Sequence, residues 1–172
     1  MRFSRSYTSK TAAYVRAMRH RQAATGRTMS KKSPRLVETT PEAISRAEDA
    51  LGRKLPLSFR AWLLRNNGRW GLDAIRVFPV LDDRDQRSTW DSIVRNYRER
   101  WQQWLRIRPG CTQLLPFAEF GTGDYYCFDY SQPDPTGELP VMLWYHETGE
   151  TEHCADSFAE FVKLAESRLL ND

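Results

Sequence analysis

Two periodicities divide the chain. From Ile44 to Leu51, from Phe59 to Leu63 and from Trp90 to Leu105 the apolar residues recur at steps of three and four, the spacing of one helix face. From Leu114 onward they gather in short blocks rich in aromatic and branched residues, the signature of strands. The first helix is predicted at Thr39-Thr40-Pro41-Glu42. Thr40 is placed to cap the exposed amides, Pro41 fits the first helical position, and Glu42 suits the positive helix end. Ile44, Ala47 and Leu51 make its apolar stripe, and Gly52 ends it. A second helix follows Leu55-Pro56 with Phe59, Trp62 and Leu63 on one side. Asn66-Asn67-Gly68 closes it with residues tolerant of left-handed backbone.

A strand is predicted within Trp70 to Leu81, as "AIRVFPV". A third helix is predicted from about Ser88-Thr89, with Trp90, Ile93, Val94, Tyr97, Trp101, Trp104 and Leu105 along one face. Arg95, Arg98, Arg100 and Arg106 lie on the other. At this spacing the aromatic stripe reads as core packing rather than as a ligand box. The blocks "LLPFAEF", "DYYCFDY", "VMLWYHE" and "TEHCAD" then predict consecutive antiparallel strands. The link "SQPDPTGELP" between two of them is expected to carry no internal structure. Ser157-Phe158-Ala159-Glu160 has capping-box spacing and opens a last helix, with Phe158, Phe161, Leu164 and Ala165 on its apolar face. The fold class is therefore α+β: a single domain with a mostly antiparallel, twisted sheet and helices before and after it.

Charge changes the picture at the N-terminus. Residues 1–35 hold ten Lys/Arg and no acid, leaving 16 of the 26 basic residues against all 22 acids, a net of −6, over residues 36–172. The organisation expected is a basic, flexible arm over 1–35 and a folded domain over 36–172. For the arm, a transit-like segment with a short helix near Lys10–Ala24 and a nucleic-acid-binding tail are both weighed. A disordered leader and an extension upstream of a start at Met29 are the favoured readings. Nucleic acid is expected as a partner only through this arm.

The asymmetry continues inside the domain. From Pro109 to Val162 there is no Lys or Arg, while ten Asp/Glu occur. A region of one sign attracts basic partners and speeds their encounter, although such carboxylates also serve as a solvated face. No apolar run approaches 18 residues, so no membrane span is expected. Cys111, Cys127 and Cys154 fit neither a disulfide framework nor a zinc pattern and point to a reducing, cytoplasmic setting.

Candidate chemistry is sparse. Gly121-Thr122-Gly123 lacks the lysine and helix of a phosphate loop. Cys127 sits among strand aromatics, as a small buried side chain would. His153 and Cys154 are strand neighbours on opposite faces and cannot form a dyad. His146 and His153 could approach across a hairpin near Glu147 or Glu150, a conceivable metal pair, but histidines there are more often surface residues. Asp124 and Asp129 are five residues apart, on opposite strand faces and roughly 17 Å apart, too far for one acid/base pair. No cofactor, metal or catalytic residue is assigned.

The order of these pieces resembles a known family. "PEAISRAEDALGRKLPLSFRAWLLRNNG", then Leu115-Pro116-Phe117-Ala118, then Gly123-Asp124-Tyr125-Tyr126-Cys127-Phe128-Asp129, "PVMLWYHE" and "SFAEFV" are similar to the SUKH superfamily over about Thr40 to Ala165. The helical insert carrying Trp90 to Leu105 and the basic arm depart from that pattern. The resemblance implies a non-enzymatic protein-binding domain. Many bacterial members are immunity proteins that neutralise a toxin, often a nuclease, from contact-dependent or related secretion systems. Fungal members regulate cell-wall synthesis, so a regulatory or scaffold module is the alternative. The expected partner is a basic toxin domain, with Glu119, Asp124, Asp129, Trp144 and Glu147 as candidate contacts. For each a plainer role is weighed beside it: Asp124 capping a turn, Asp129 ending a strand, Trp144 in the core. The oligomeric state is not specified by the sequence.

Overall fold

The computed structural model describes residues 38–67, 75–121 and 123–167. The expectations for residues 1–35, for Gly68 and for the strand residues before Ile75 lie outside these.

Helix α1, Pro41–Leu51, forms as its sequence dictates: the Thr40 hydroxyl accepts from the Ala43 amide at 3.2 Å, Pro41 opens the helix, and Gly52 ends it at φ 65°. Helix α2, Leu57–Asn66, begins at Pro56, which offers no capping side chain. Glu138 supplies the cap from 80 residues away, accepting from the Ser58 amide at 2.8 Å and the Ser58 hydroxyl at 2.6 Å. At the other end Asn67 is not left-handed but extended, at φ −59° and ψ 124°. Its side-chain amide is buried instead and exchanges two hydrogen bonds with the backbone of Val80.

Five strands follow in a meander whose spatial order is its chain order: β1 (Ile75–Val77), β2 (Leu114–Phe120), β3 (Asp124–Asp129), β4 (Val141–Trp144) and β5 (Thr151–Ala155). Every pairing is antiparallel. The links from β2 to β3 and from β4 to β5 are too short for a parallel crossover, whereas β1 reaches β2 through the helical residues 78–113. β2 carries a bulge between Pro116 and Ala118, as a proline that cannot donate to the ladder favours. The extra residue, Phe117, stacks on Phe128 at 4.2 Å between ring centres. The β3–β4 link is structured after all. The Asp134 carboxylate accepts from the Thr136 hydroxyl and from the amides of Thr136 and Glu138, and so closes the loop through one aspartate.

The stripe from Trp90 to Leu105 is not one regular helix. A short helix α3, Gln86–Thr89, stops before Trp90, and Ser92 starts a new one by accepting from the Arg95 amide at 3.3 Å. This second helix runs as α4 (Ile93–Arg95), a π-helical stretch Asn96–Trp101, and α5 (Gln102–Ile107). The wider turn breaks the simple 3.6 period. Lying before the Ser92 cap, Trp90 is 60 % exposed, contrary to the core position that the periodicity suggests, and the Arg95 guanidinium lies over its ring at 4.6 Å. Trp101, by contrast, is buried.

Helix α6, Phe158–Ser167, closes the domain, with the Ser157 hydroxyl accepting from the Glu160 amide and Glu160 accepting from the Asp156 amide. Its apolar face is narrower than expected: Phe158 and Phe161 are buried, whereas Leu164 is exposed. The sheet thus has two aromatic clusters. Phe59 of α2 and Phe158 and Phe161 of α6 meet Phe117, Tyr126 and Phe128. Elsewhere Trp101 and Trp104 meet Tyr125 and Trp144. One cluster is thus covered by α2 and α6 and the other by the helix inserted between β1 and β2, in an α+β domain as the sequence predicts.

Candidate protein-binding surface

The five candidate contacts do not come together on one surface. Trp144 is completely buried, because its place on β4 opposite Tyr125 aims the indole inward. It lies edge-on to Trp101 at 4.9 Å and to Trp104 at 5.1 Å. The indole N–H groups of Trp101 and Trp144 have no hydrogen-bond acceptor among the described residues. Edge-to-face stacking of this kind is itself favourable. Trp144 is a core residue, and a role as a partner's anchor does not fit its position.

Asp124 is also interior, at 2 % exposure. Gly121 at φ 36° and Gly123 at φ 101° bend the chain through the left-handed region into β3, where side chains are costly. Asp124 then accepts from the His146 amide at 3.0 Å, and its Oδ1 lies 2.7 Å from His146 Nδ1. It fastens the end of β4 to the start of β3. A carboxylate so placed adds little to an outward-facing patch, which corrects its expected surface role.

Glu119 is half-buried on β2 and lies 3.4 Å from Arg76 of β1, which also pairs with Asp91. Arg100 stands 3.7 Å from Asp91. The charge of Glu119 is therefore largely offset within the domain. Asp129 ends β3 and accepts from the Ser131 amide at 2.8 Å, the turn-forming role open to any aspartate there. Asp124 and Asp129 stand at opposite ends of β3. Of the five, only Glu147 is exposed.

Glu147 belongs to the β4–β5 turn, and this turn is built by a residue that the sequence reading passed over. Arg108 donates to the Glu147 carbonyl at 2.9 Å and to the Thr148 carbonyl at 2.5 Å. Gly149, at φ 75°, lets the guanidinium lie against the backbone; a Cβ there would come within 2.5 Å of Arg108 Cδ. Inside the turn the Gly149 amide donates to the Tyr145 carbonyl at 2.7 Å. Tyr145 donates its hydroxyl to Glu152 at 2.6 Å, and burial, aided by that bond, raises its phenol well above the ordinary range. The hairpin is thus held in one shape while Glu147 and Glu150 project into solvent. Neither carboxylate takes a hydrogen bond or ion pair among the described residues. Asp134, Asp156 and Glu160 are exposed as well, with Asp156 3.0 Å from His153.

The residues weighed for chemistry are dispersed. Cys127 is buried, and desolvation pushes its thiol well above the usual value, away from the reactive thiolate. His146 is engaged by Asp124 and His153 by Asp156. Among the described residues no three His, Cys, Asp or Glu side chains gather as metal ligands. No described helix is long and apolar enough to cross a membrane.

With this geometry in place, the comparison with known families is direct. The chain matches the SMI1 / KNR4 family (SUKH-1) over residues 38–164, which takes in everything from α1 through most of α6, and it belongs to that family. No curated protein matches the chain.

Proposed function

We propose that this chain is a non-enzymatic protein-binding domain, an immunity protein that neutralises a basic toxin domain in the cytoplasm. One observation carries the reading. The span from Pro109 to Val162 has no Lys or Arg, and its exposed carboxylates Asp134, Glu147, Glu150, Asp156 and Glu160 face solvent, with His153 beside Asp156 the one ionisable base of the span paired with them among the described residues. A toxin that cuts nucleic acid needs a cationic cleft for phosphates, and an acidic protein surface competes for that cleft. Family membership supports a binding module of this kind. A regulatory or scaffold role is the second reading; Trp90, exposed beneath Arg95, offers an aromatic anchor away from the acidic span.

Growth protection tests the first reading. The product of the adjacent reading frame is expressed with and without this chain, and its toxicity should vanish only in the chain's presence, with the two proteins co-purifying. A neighbour that is not toxic, or whose toxicity persists beside the folded chain, overturns the reading.

A further inference from the structure

β5 is an edge of the sheet: among the described residues only β4 pairs with it. The ladder reveals which of its main-chain groups face outward. The Tyr145 amide donates to the Glu150 carbonyl at 3.0 Å, which makes Tyr145 and Glu150 a hydrogen-bonded pair. In an antiparallel ladder such pairs alternate with non-bonded ones. Trp144 with Thr151 is then non-bonded, Leu143 with Glu152 bonded, and Met142 with His153 non-bonded. The N–H and C=O of Thr151 and His153 accordingly point away from β4, and both residues are exposed.

We propose that this edge is a docking site for an extended, basic segment of a partner protein, which adds a sixth strand beside β5. The inference rests on the reading of the chain as a binder of basic proteins and specifies how that binding is made. Main-chain pairing at an open edge supplies affinity, and the side chains flanking it supply selectivity. Here Glu147 and Glu150 precede the strand, Asp156 follows it, and all three are exposed. The same charges disfavour a second copy of this chain. Two β5 strands paired about a two-fold axis would set these acids against their own kind, which is destabilising. A strand bearing alternate Lys and Arg meets no such penalty. The Arg108 clamp on Thr148 and Glu147, with the Tyr145–Glu152 bond, fixes the hairpin beforehand, so little ordering is required when a strand arrives.

The test uses the full ¹⁵N-labelled chain and the synthetic peptide acetyl-Lys-Val-Lys-Val-Arg-Val-Lys-amide. Two controls are its Glu/Asp counterpart and a version N-methylated at alternate residues. The expected result is at least a ten-fold slowing of hydrogen exchange at the Thr151 and His153 amides with the basic peptide, and none with either control. His153→Pro, which removes an outward amide at an edge position where proline is tolerated, should weaken peptide binding by about ten-fold or more. If that variant does not fold, the exchange data on the native chain decide alone. No slowing at these two amides, slowing confined to other residues, or slowing produced by the chain itself at high concentration together with a dimer mass would each overturn the proposal. The peptide contains no toxin sequence, so these outcomes leave the immunity reading standing. Loss of growth protection would overturn that reading without touching the edge.

Discussion

Asp124 and His146 are joined twice, through the His146 amide and through its ring Nδ1, and the aspartate is almost entirely enclosed. A buried acceptor engaged in this way acts on the position of its neighbours. Asp124→Ala leaves the His146 amide without this acceptor and should cost about 1–3 kcal/mol in urea unfolding. Hydrogen exchange around Tyr145–Glu150 should accelerate in the same variant. A variant of native stability with an unchanged hairpin would show that the pair does no structural work.

Trp144 gives a larger and purely structural effect. Truncation to alanine removes a buried indole that touches Trp101, Trp104 and Tyr125, and should destabilise by about 3–5 kcal/mol. Chemical denaturation measures it. A cost under about 1 kcal/mol would mean that the indole is not a core element.

Glu48 sets the acid limb of stability. It is 1 % exposed and accepts from the Leu55 amide, Lys54 and Arg60, linking α1 to α2. Burial alone would raise its pKa, but these partners outweigh it, and the net shift is downward from 4.5. Asp82 is likewise held below its ordinary 3.8, first by its hydrogen bond from Arg84, against the opposing effect of burial. A lowered folded value means that the stability is fully present above the ordinary value and is lost as pH falls through the folded one. Tm should be nearly level from about pH 5 to 7 and fall steeply below about pH 4. Glu48→Gln should cost about 1–3 kcal/mol at pH 7, since Arg60 and Lys54 still reach solvent but the Leu55 amide keeps a poorer acceptor. The same variant should show a shallower acid limb, and an unchanged limb would remove Glu48 from this role.

Gly149 and Arg108 form a coupled pair in the β4–β5 turn. Gly149→Ala should cost about 1–2 kcal/mol from the left-handed backbone alone, and more from the contact with Arg108. In an Arg108→Ala background the steric part disappears, so the two substitutions should be non-additive. Additive costs in a double-mutant cycle would show that the guanidinium does not rest on the glycine.

Much of the fold was legible because local signals agreed. Thr40, Pro41 and Gly52 specify α1 by themselves, and the short aromatic and branched blocks from Leu114 give all four later strands in order. Three of the misses share a cause, since each depends on a partner distant in sequence. Asn67 takes its conformation from Val80, the start of α2 is capped by Glu138, and Arg108 is defined by a turn 40 residues later. Trp90 failed differently, because the Ser92 cap and the π-helical turn break the period on which its burial was argued. The candidate surface was legible as a charge asymmetry but not as a set of residues. Composition counts Asp124 and Glu147 alike, and only packing shows that one is enclosed and the other exposed.

On the proposed reading, the exposed acidic hairpin recognises a basic protein. It is tested by the association rate of the full chain with the product of the adjacent reading frame, at low and moderate salt, for the native chain and for Glu147→Lys/Glu150→Lys. Both side chains are exposed and without hydrogen-bond partners among the described residues, so the double variant should fold with an unchanged Tm. A tight complex is expected, with association about ten-fold or more slower on charge reversal and with added salt. Absence of a complex with the native chain, or a rate indifferent to both charge reversal and salt, would contradict it.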